Sequence, residues 1–242
     1  MLRRSHPSWE PVFHLPTQMA VPGAAASFSY DSQGNLLNRT LTDTTVTPNV
    51  SRTWTYSYDS YGRVLTIKGA RTDLDSTTTL TYYTCTTGAE CGQVHTATDA
   101  VGNVTTYNSY NAHGQPLIVT DPSGVMTTLT YDDRHRLTSR QVGSEMSSFT
   151  YYSTGLLQKA TLPDGTFLQY TYDAAHRLTQ ISDGVGNSIR YTLDVAGNRT
   201  SDSTFDPSGT LSVTQSRLYN SLNQLYQRTA SAGTAAVTTT LA

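Results

Sequence analysis

Six aspartates recur at the same place in a short motif, Asp31, Asp59, Asp132, Asp173, Asp183 and Asp194, and His135 and His176 stand three residues after two of them. A carboxylate and an imidazole at fixed spacing could do general acid–base chemistry, which calls for one poised pair. Repetition argues for another role. A group copied in hairpin after hairpin serves the backbone: an Asp that opens a turn accepts hydrogen bonds from N–H groups two or three residues on. The fourth position of such a turn must tolerate a left-handed backbone, which Gly does freely and His better than most residues. The aspartates therefore read as turn caps, with His135 and His176 in glycine positions.

The other chemically able residues are Cys85 and Cys91, with five residues and a Gly-containing turn between them. They could meet as a disulfide or stay as two thiols, depending on the redox compartment. A zinc site from Cys85, Cys91 and His95 lacks a fourth ligand at ordinary spacing. Each Asp turn offers one or two carboxylates, whereas calcium takes six to eight oxygens. The sequence holds no Gly-x-Ser-x-Gly elbow, phosphate loop or His-Glu-x-x-His helix, so nucleophilic, nucleotide and zinc-protease mechanisms have no anchor. The expectation is a protein without catalysis and without a cofactor.

The elements that carry these residues are strands. In the stretch 167–198, the runs Phe167–Tyr172, Arg177–Ile181 and Ser188–Leu193 alternate side-chain type and are separated by turns that begin with Asp. Leu168, Tyr170 and Tyr172 fall on one strand face, and Ile189, Tyr191 and Leu193 repeat the spacing, as period-two alternation requires. A three-strand meander follows.

Most of the chain restates this unit. Tyr30-Asp31 leads to Gly34, Tyr58-Asp59 to Gly62-Arg63, Tyr110-Asn111 to Gly114, Tyr131-Asp132 to His135-Arg136, and Tyr172-Asp173 to His176-Arg177; a weaker copy starts at Tyr219. The anchors Tyr110, Tyr131, Tyr152, Tyr172 and Leu193 are spaced by 21, 21, 20 and 21 residues, which marks a repeat architecture. Half-step turns at Asp99–Gly102, Asp121–Gly124, Asp164–Gly165 and Asp183–Gly186, with a further Gly197 after Asp194, make the chain reverse about every ten residues.

Tyr-Asp-x-x-Gly-Arg-Leu at this period resembles the YD, or RHS (rearrangement hot spot), repeat proteins, over about Phe28 to Tyr226. The resemblance implies an all-β fold: an antiparallel β-hairpin array forming a curved strip, part of a larger spiral shell. In bacterial toxins of this kind the shell encloses a C-terminal toxic domain until delivery, and related YD barrels occur in insecticidal toxin complexes and in teneurins. The implied function is a structural segment of such a shell in interbacterial competition. Its implied partners are the remainder of the shell and the enclosed toxin. Shells of the family use many more repeats, so the chain is expected as a partial wall. Asp206-Pro207-Ser208-Gly209 has the letters of the family's self-cleaving block without its continuation, and reads as an ordinary turn. The rival reading is a carbohydrate-binding module that stacks a cell-surface glycan on Tyr82, Tyr83, Tyr107 or Tyr110.

Composition agrees with strands. Charged residues are 14% of the chain, while 42 residues are Thr and 16 are Tyr. The 16 basic residues are scattered against 18 acidic ones, which leaves no footprint for nucleic acid. No apolar run reaches membrane-spanning length, and no secretory signal peptide follows the two N-terminal arginines. The expected localisation is secreted or cell-surface, as part of a larger bacterial protein that is cytoplasmic before export. Residues 1–26, with four prolines, read as an extended leader, 27–228 as the hairpin array, and 229–242 as a frayed tail or a truncated repeat. Open sheet edges predict self-association.

Overall fold

The computed structural model describes residues 8–85, 87–232 and 235–240. They form strands and turns with no helix. The strands are β1 (Ser8–Trp9), β2 (Pro16–Val21), β3 (Ala24–Tyr30), β4 (Leu36–Asp43), β5 (Val50–Tyr58), β6 (Val64–Lys68), β7 (Thr77–Tyr82), β8 (Val94–Thr98), β9 (Val104–Tyr110) and β10 (Pro116–Thr120). They continue with β11 (Met126–Tyr131), β12 (Leu137–Val142), β13 (Glu145–Tyr151), β14 (Leu157–Thr161), β15 (Phe167–Tyr172), β16 (Leu178–Asp183), β17 (Ser188–Leu193), β18 (Arg199–Phe205), β19 (Leu211–Tyr219), β20 (Leu225–Ala232) and β21 (Ala235–Thr240).

Two compact units divide the chain, Met1–Thr127 and Thr128–Ala242. In the first, β1 to β10 pair in chain order, each antiparallel to the strand before and after it. In the second, β12 to β21 do the same. Each is a meander of hairpins, the arrangement that ten-residue reversals dictate.

The two faces of each meander differ chemically. In the first unit, Arg39 lies opposite Trp54 and Tyr56 opposite Ile67, with Leu41 between β3 and β5. The other face carries hydroxyls. Ser57, Thr66, Thr79 and Thr98 stand in one cross-strand row, and Thr81, Thr96, Thr106 and Thr120 in the next. Neighbours in these rows bond directly, Ser57 to Thr66 at 2.5 Å and Thr81 to Thr96 at 2.6 Å. The second unit repeats the division, with Tyr170, Ile181 and Ile189 aligned on one face and the pairs Ser203–Thr214 and Thr229–Thr238, each at 3.0 Å, on the other. Cross-strand hydroxyl pairs and aromatic–aliphatic pairs are the units by which such a sheet is stabilised.

Burial is shallow. Among the described residues only Tyr110, 8% exposed, and Ser188, 7% exposed, are buried. The chain exposes 15978 Å². A single globule of its mass would expose about 10,600 Å², and two equal ones together about 12,800 Å². Half-burial on one layer replaces a core.

The first and last stretches carry paired strands. Within the anticipated leader, β2 pairs β3 from Gln18↔Ser27 to Val21↔Ala24. Pro16 sits at the first residue of a strand, where its missing N–H costs no ladder bond. Within residues 229–242, β21 pairs β20 from Gln227↔Thr240 to Ala232↔Ala235. Residues 1–7 of the leader and the tail residues 233, 234, 241 and 242 lie outside the described residues.

Candidate functional site

The repeated feature with the most invested polar chemistry is the hairpin turn. At Asp59 the carboxylate Oδ1 accepts the backbone N–H of Tyr61 and of Arg63, both at 2.9 Å, and Oδ2 accepts the Arg63 guanidinium Nε at 2.7 Å. The backbone closes the same loop, Asp59 N–H donating to the Arg63 carbonyl and Gly62 N–H to the Asp59 carbonyl. Asp31, Asp132, Asp173 and Asp183 hold the turns that follow them in the same way. Asp194 accepts the Asn198 N–H at 2.8 Å. The bonds reach two and four residues ahead, and at Asp183 also three, where the Gly186 N–H lies at 2.8 Å.

That bend is at Gly34, Gly62, Gly114, Gly186 and Gly197, with φ between 75° and 111°. His135 and His176 occupy it at φ 64° and 63°. The strand then resumes with a bulge, so that Tyr58 faces Val64 and Tyr172 faces Leu178.

The first and fifth turn residues are matched as donor and acceptor. Asp31, Asp183 and Asp194 take the side-chain amide of Asn35, Asn187 and Asn198, and Asp132 and Asp173 take the guanidinium of Arg136 and Arg177. Where Asn replaces Asp, the fifth residue becomes an acceptor: Asn111 donates to Gln115 and Asn220 to Gln224, each at 3.0 Å. This pairing is legible in the sequence to a reader who compares the two positions. The hydrogen bond from the fifth side chain is the largest cause holding the carboxyls of Asp31, Asp132, Asp183 and Asp194 below the usual range, with backbone N–H groups adding to it. A carboxylate so held stays ionised, which suits a clamp and not a proton donor.

The strand-ending tyrosines tie one repeat to the one before it. Tyr30 donates its hydroxyl to the carbonyl of Pro16, Tyr58 to Leu36, Tyr82 to Val64, Tyr110 to Val94 and Tyr151 to Leu137, all between 2.7 and 2.9 Å. Tyr151, not Tyr152, therefore fills this role in its repeat; Tyr152 takes the Asp position and accepts the turn bond from Gly155. Arg63 covers the Tyr82 ring and Arg136 the Tyr151 ring, each at 4.4 Å. Tyr172 meets Tyr152 edge-on at 6.1 Å, and burial pushes the phenols of Tyr131 and Tyr172 up. The half-step turn placed at Asp164 begins two residues earlier: Gly165 N–H returns to Leu162, and Asp164 caps Thr166.

Cys85 and Cys91 are joined as a disulfide, with Cα atoms 4.3 Å apart. The bond removes both thiolates from any metal set with His95, whose ring lies 4.4 Å from Tyr83 instead. Among the described residues no group of three or more His, Cys, Asp and Glu side chains is placed to hold a metal ion, and no helix is long and apolar enough to cross a membrane.

Capped hairpins in chain order, several of them stitched to the repeat before by a tyrosine hydroxyl, define a YD-repeat sheet. The Teneurin YD-shell family model matches residues 89–231. This chain belongs to that family. In fold it is similar to a chain of the Photorhabdus luminescens Tc holotoxin pore, with a TM-score of 0.64 at 16% identity over 94% of this chain and 15% of that one. The TcdB2–TccC3 structure without its hypervariable C-terminal region matches with a TM-score of 0.60 at 15% identity, over 95% of this chain and 15% of that one. TcdB2–TccC3–Cdc42 matches with a TM-score of 0.60 at 14% identity, over 94% and 15%. The chain thus spans about 15% of the length of the solved chains it resembles. No curated protein matches it.

Proposed function

We propose that this chain is a stretch of wall in a YD-repeat shell, that the shell encloses a toxin domain, and that it serves delivery of that toxin in competition between bacteria. The observation that carries the reading is that each unit is one layer: hairpin after hairpin, with two chemically distinct faces, and 15978 Å² of the chain left exposed. A sheet that builds no core of its own acts as a partition. Family membership and fold likeness to chains of a Tc holotoxin and of TcdB2–TccC3 support the same reading. Its role is structural, because the ionisable groups of the turns are committed to holding hairpins.

β1 and β21 each have one strand partner among the described residues. Further wall would pair there, and where none is supplied a second copy would. Export would follow synthesis in the cytoplasm, as part of a larger polypeptide. The glycan reading has no observation in its favour: Tyr82, Tyr83 and Tyr110 spend their hydroxyls on backbone carbonyls, and Tyr107 stacks on Tyr110 at 6.3 Å.

The test is the native polypeptide that carries these peptides, captured from its source, weighed by mass spectrometry and digested briefly with protease. The expected product is far heavier than 26.4 kDa, with a C-terminal segment that resists cleavage until the shell is denatured. A 26.4 kDa product, or a C-terminal segment cut as fast as when it is free, overturns the proposal.

A further inference from the structure

The connection between β7 and β8 departs from every other tyrosine-led turn described above. Tyr58 pairs with the residue six positions on, but Tyr82 pairs with Val94, twelve positions on. The cap position holds Tyr83, which has no carboxylate to close the turn. At its base the loop is held by Tyr83 N–H to Gln93 at 2.9 Å and Gly92 N–H to Tyr83 at 3.3 Å. Beyond the base, the tip is closed by the Cys85–Cys91 bond and by Cys91 N–H to Gly88 at 3.4 Å. Cys85 is exposed, so its sulfur is reachable by a small thiol.

The loop covers something. Tyr83 leaves the base and crosses β8, its hydroxyl donating to the Tyr107 carbonyl at 2.8 Å, its ring 4.4 Å from His95 and 6.5 Å from Tyr110. Tyr110 is the most deeply buried large side chain among the described residues. The residue that seats this aromatic nest is therefore the first residue of the one turn closed by a disulfide.

We propose that Cys85 and Cys91 form a thiol–disulfide latch, whose reduction parts the two ends of the turn at Cys85 and Cys91 and loosens Tyr83 from its seat beside Tyr110. Closure takes an oxidant of the glutathione disulfide class. One cysteine thiolate attacks the oxidant's sulfur and expels a glutathione thiolate; the second attacks the mixed disulfide and expels another, so two electrons and two protons leave on two thiols. Opening is the reverse, begun at the exposed Cys85 sulfur. The latch stands whether or not the chain walls a toxin.

The test uses the full chain in three states: oxidised, reduced with dithiothreitol, and closed again with oxidised glutathione. Cleavage after Glu90 by a Glu-specific endoprotease reads the tip. Ionisation of Tyr110, whose phenol burial pushes up to about 12, reads the nest at 295 nm and is assigned with Tyr110→Phe. Reduction is expected to speed Glu90 cleavage on the order of tenfold or more, from the lost loop closure, and to move the late phenol ionisation toward its ordinary value, with both effects reversed by glutathione disulfide. A Cys85→Ser/Cys91→Ser variant should behave as the reduced chain under oxidising conditions. If that variant fails to fold by far-ultraviolet circular dichroism, the reversible cycle on the unaltered chain decides. Unchanged Glu90 cleavage overturns the latch, and so does an unmoved Tyr110 ionisation.

Discussion

Arg63 holds its guanidinium 4.4 Å over the ring of Tyr82 in the next repeat, and Tyr82 returns its hydroxyl to the carbonyl of Val64, the residue after that arginine, at 2.7 Å. One arginine thus serves the Asp59 clamp behind it and the tyrosine ahead of it. Replacing Arg63 by Lys keeps the charge but loses the planar fork and the stacked face, and should cost about 1–2 kcal/mol. Tyr82→Phe should cost about 1 kcal/mol through the lost hydrogen bond. Urea denaturation of both single variants and the double variant checks this. The double variant should cost about the sum, because Phe keeps the ring that Arg63 covers and the two substitutions remove different contacts.

His176 sits at φ 63°. A β-branched residue there meets its own carbonyl, so His176→Val should destabilise by about 1–2 kcal/mol relative to His176→Gly. Thermal unfolding of the pair measures the difference. Equal melting temperatures would show that the bend does not need a left-handed residue.

Acid should weaken the array. The carboxyls of Asp31, Asp132, Asp183 and Asp194 are held below their ordinary value by side-chain and backbone hydrogen bonds. A group with a depressed folded pKa contributes stability that is present above its unfolded value, near 4, and is lost as pH falls through the folded one. Urea midpoints should therefore hold between about pH 5 and 7 and fall below about pH 4. Asp183→Asn should flatten part of that fall.

Alkali should act through Tyr110. Burial pushes its phenol up from 10.0 to about 12. Stability linked to a raised pKa is complete below the unfolded value and lost as pH rises through the folded one. Stability should therefore decline between about pH 10 and 12, and Tyr110→Phe, weaker at neutral pH, should decline less steeply over that interval.

Strand alternation and Asp-led turns made the hairpin array legible, since both signals lie within ten residues of sequence. The stitches were not legible: Tyr58 reaches Leu36 and Arg177 reaches the Asp194 carbonyl only once neighbouring repeats lie side by side. Ala24, Ala25 and Ala26 are weak strand formers, so β3 looked like the end of a leader until its pairing with β4 is seen, Ala24↔Asp43 to Tyr30↔Leu36. In the same way Leu162 hid a turn, because nothing in its own type marks the position that Asp holds elsewhere. The Cys85–Cys91 pairing was one of two open readings, since spacing permits a disulfide without requiring it.

Pairing in strict chain order has a consequence for how the protein is made. β1 to β10 in the first unit, and β12 to β21 in the second, bond only to strands one hairpin away in sequence. Loop-closure entropy for each step is small, and topologies dominated by local contacts fold fast. Such a sheet can form on the ribosome from its first hairpin onward, each new hairpin adding to a template already in place. Early repeats are then finished structure while later ones are still being translated.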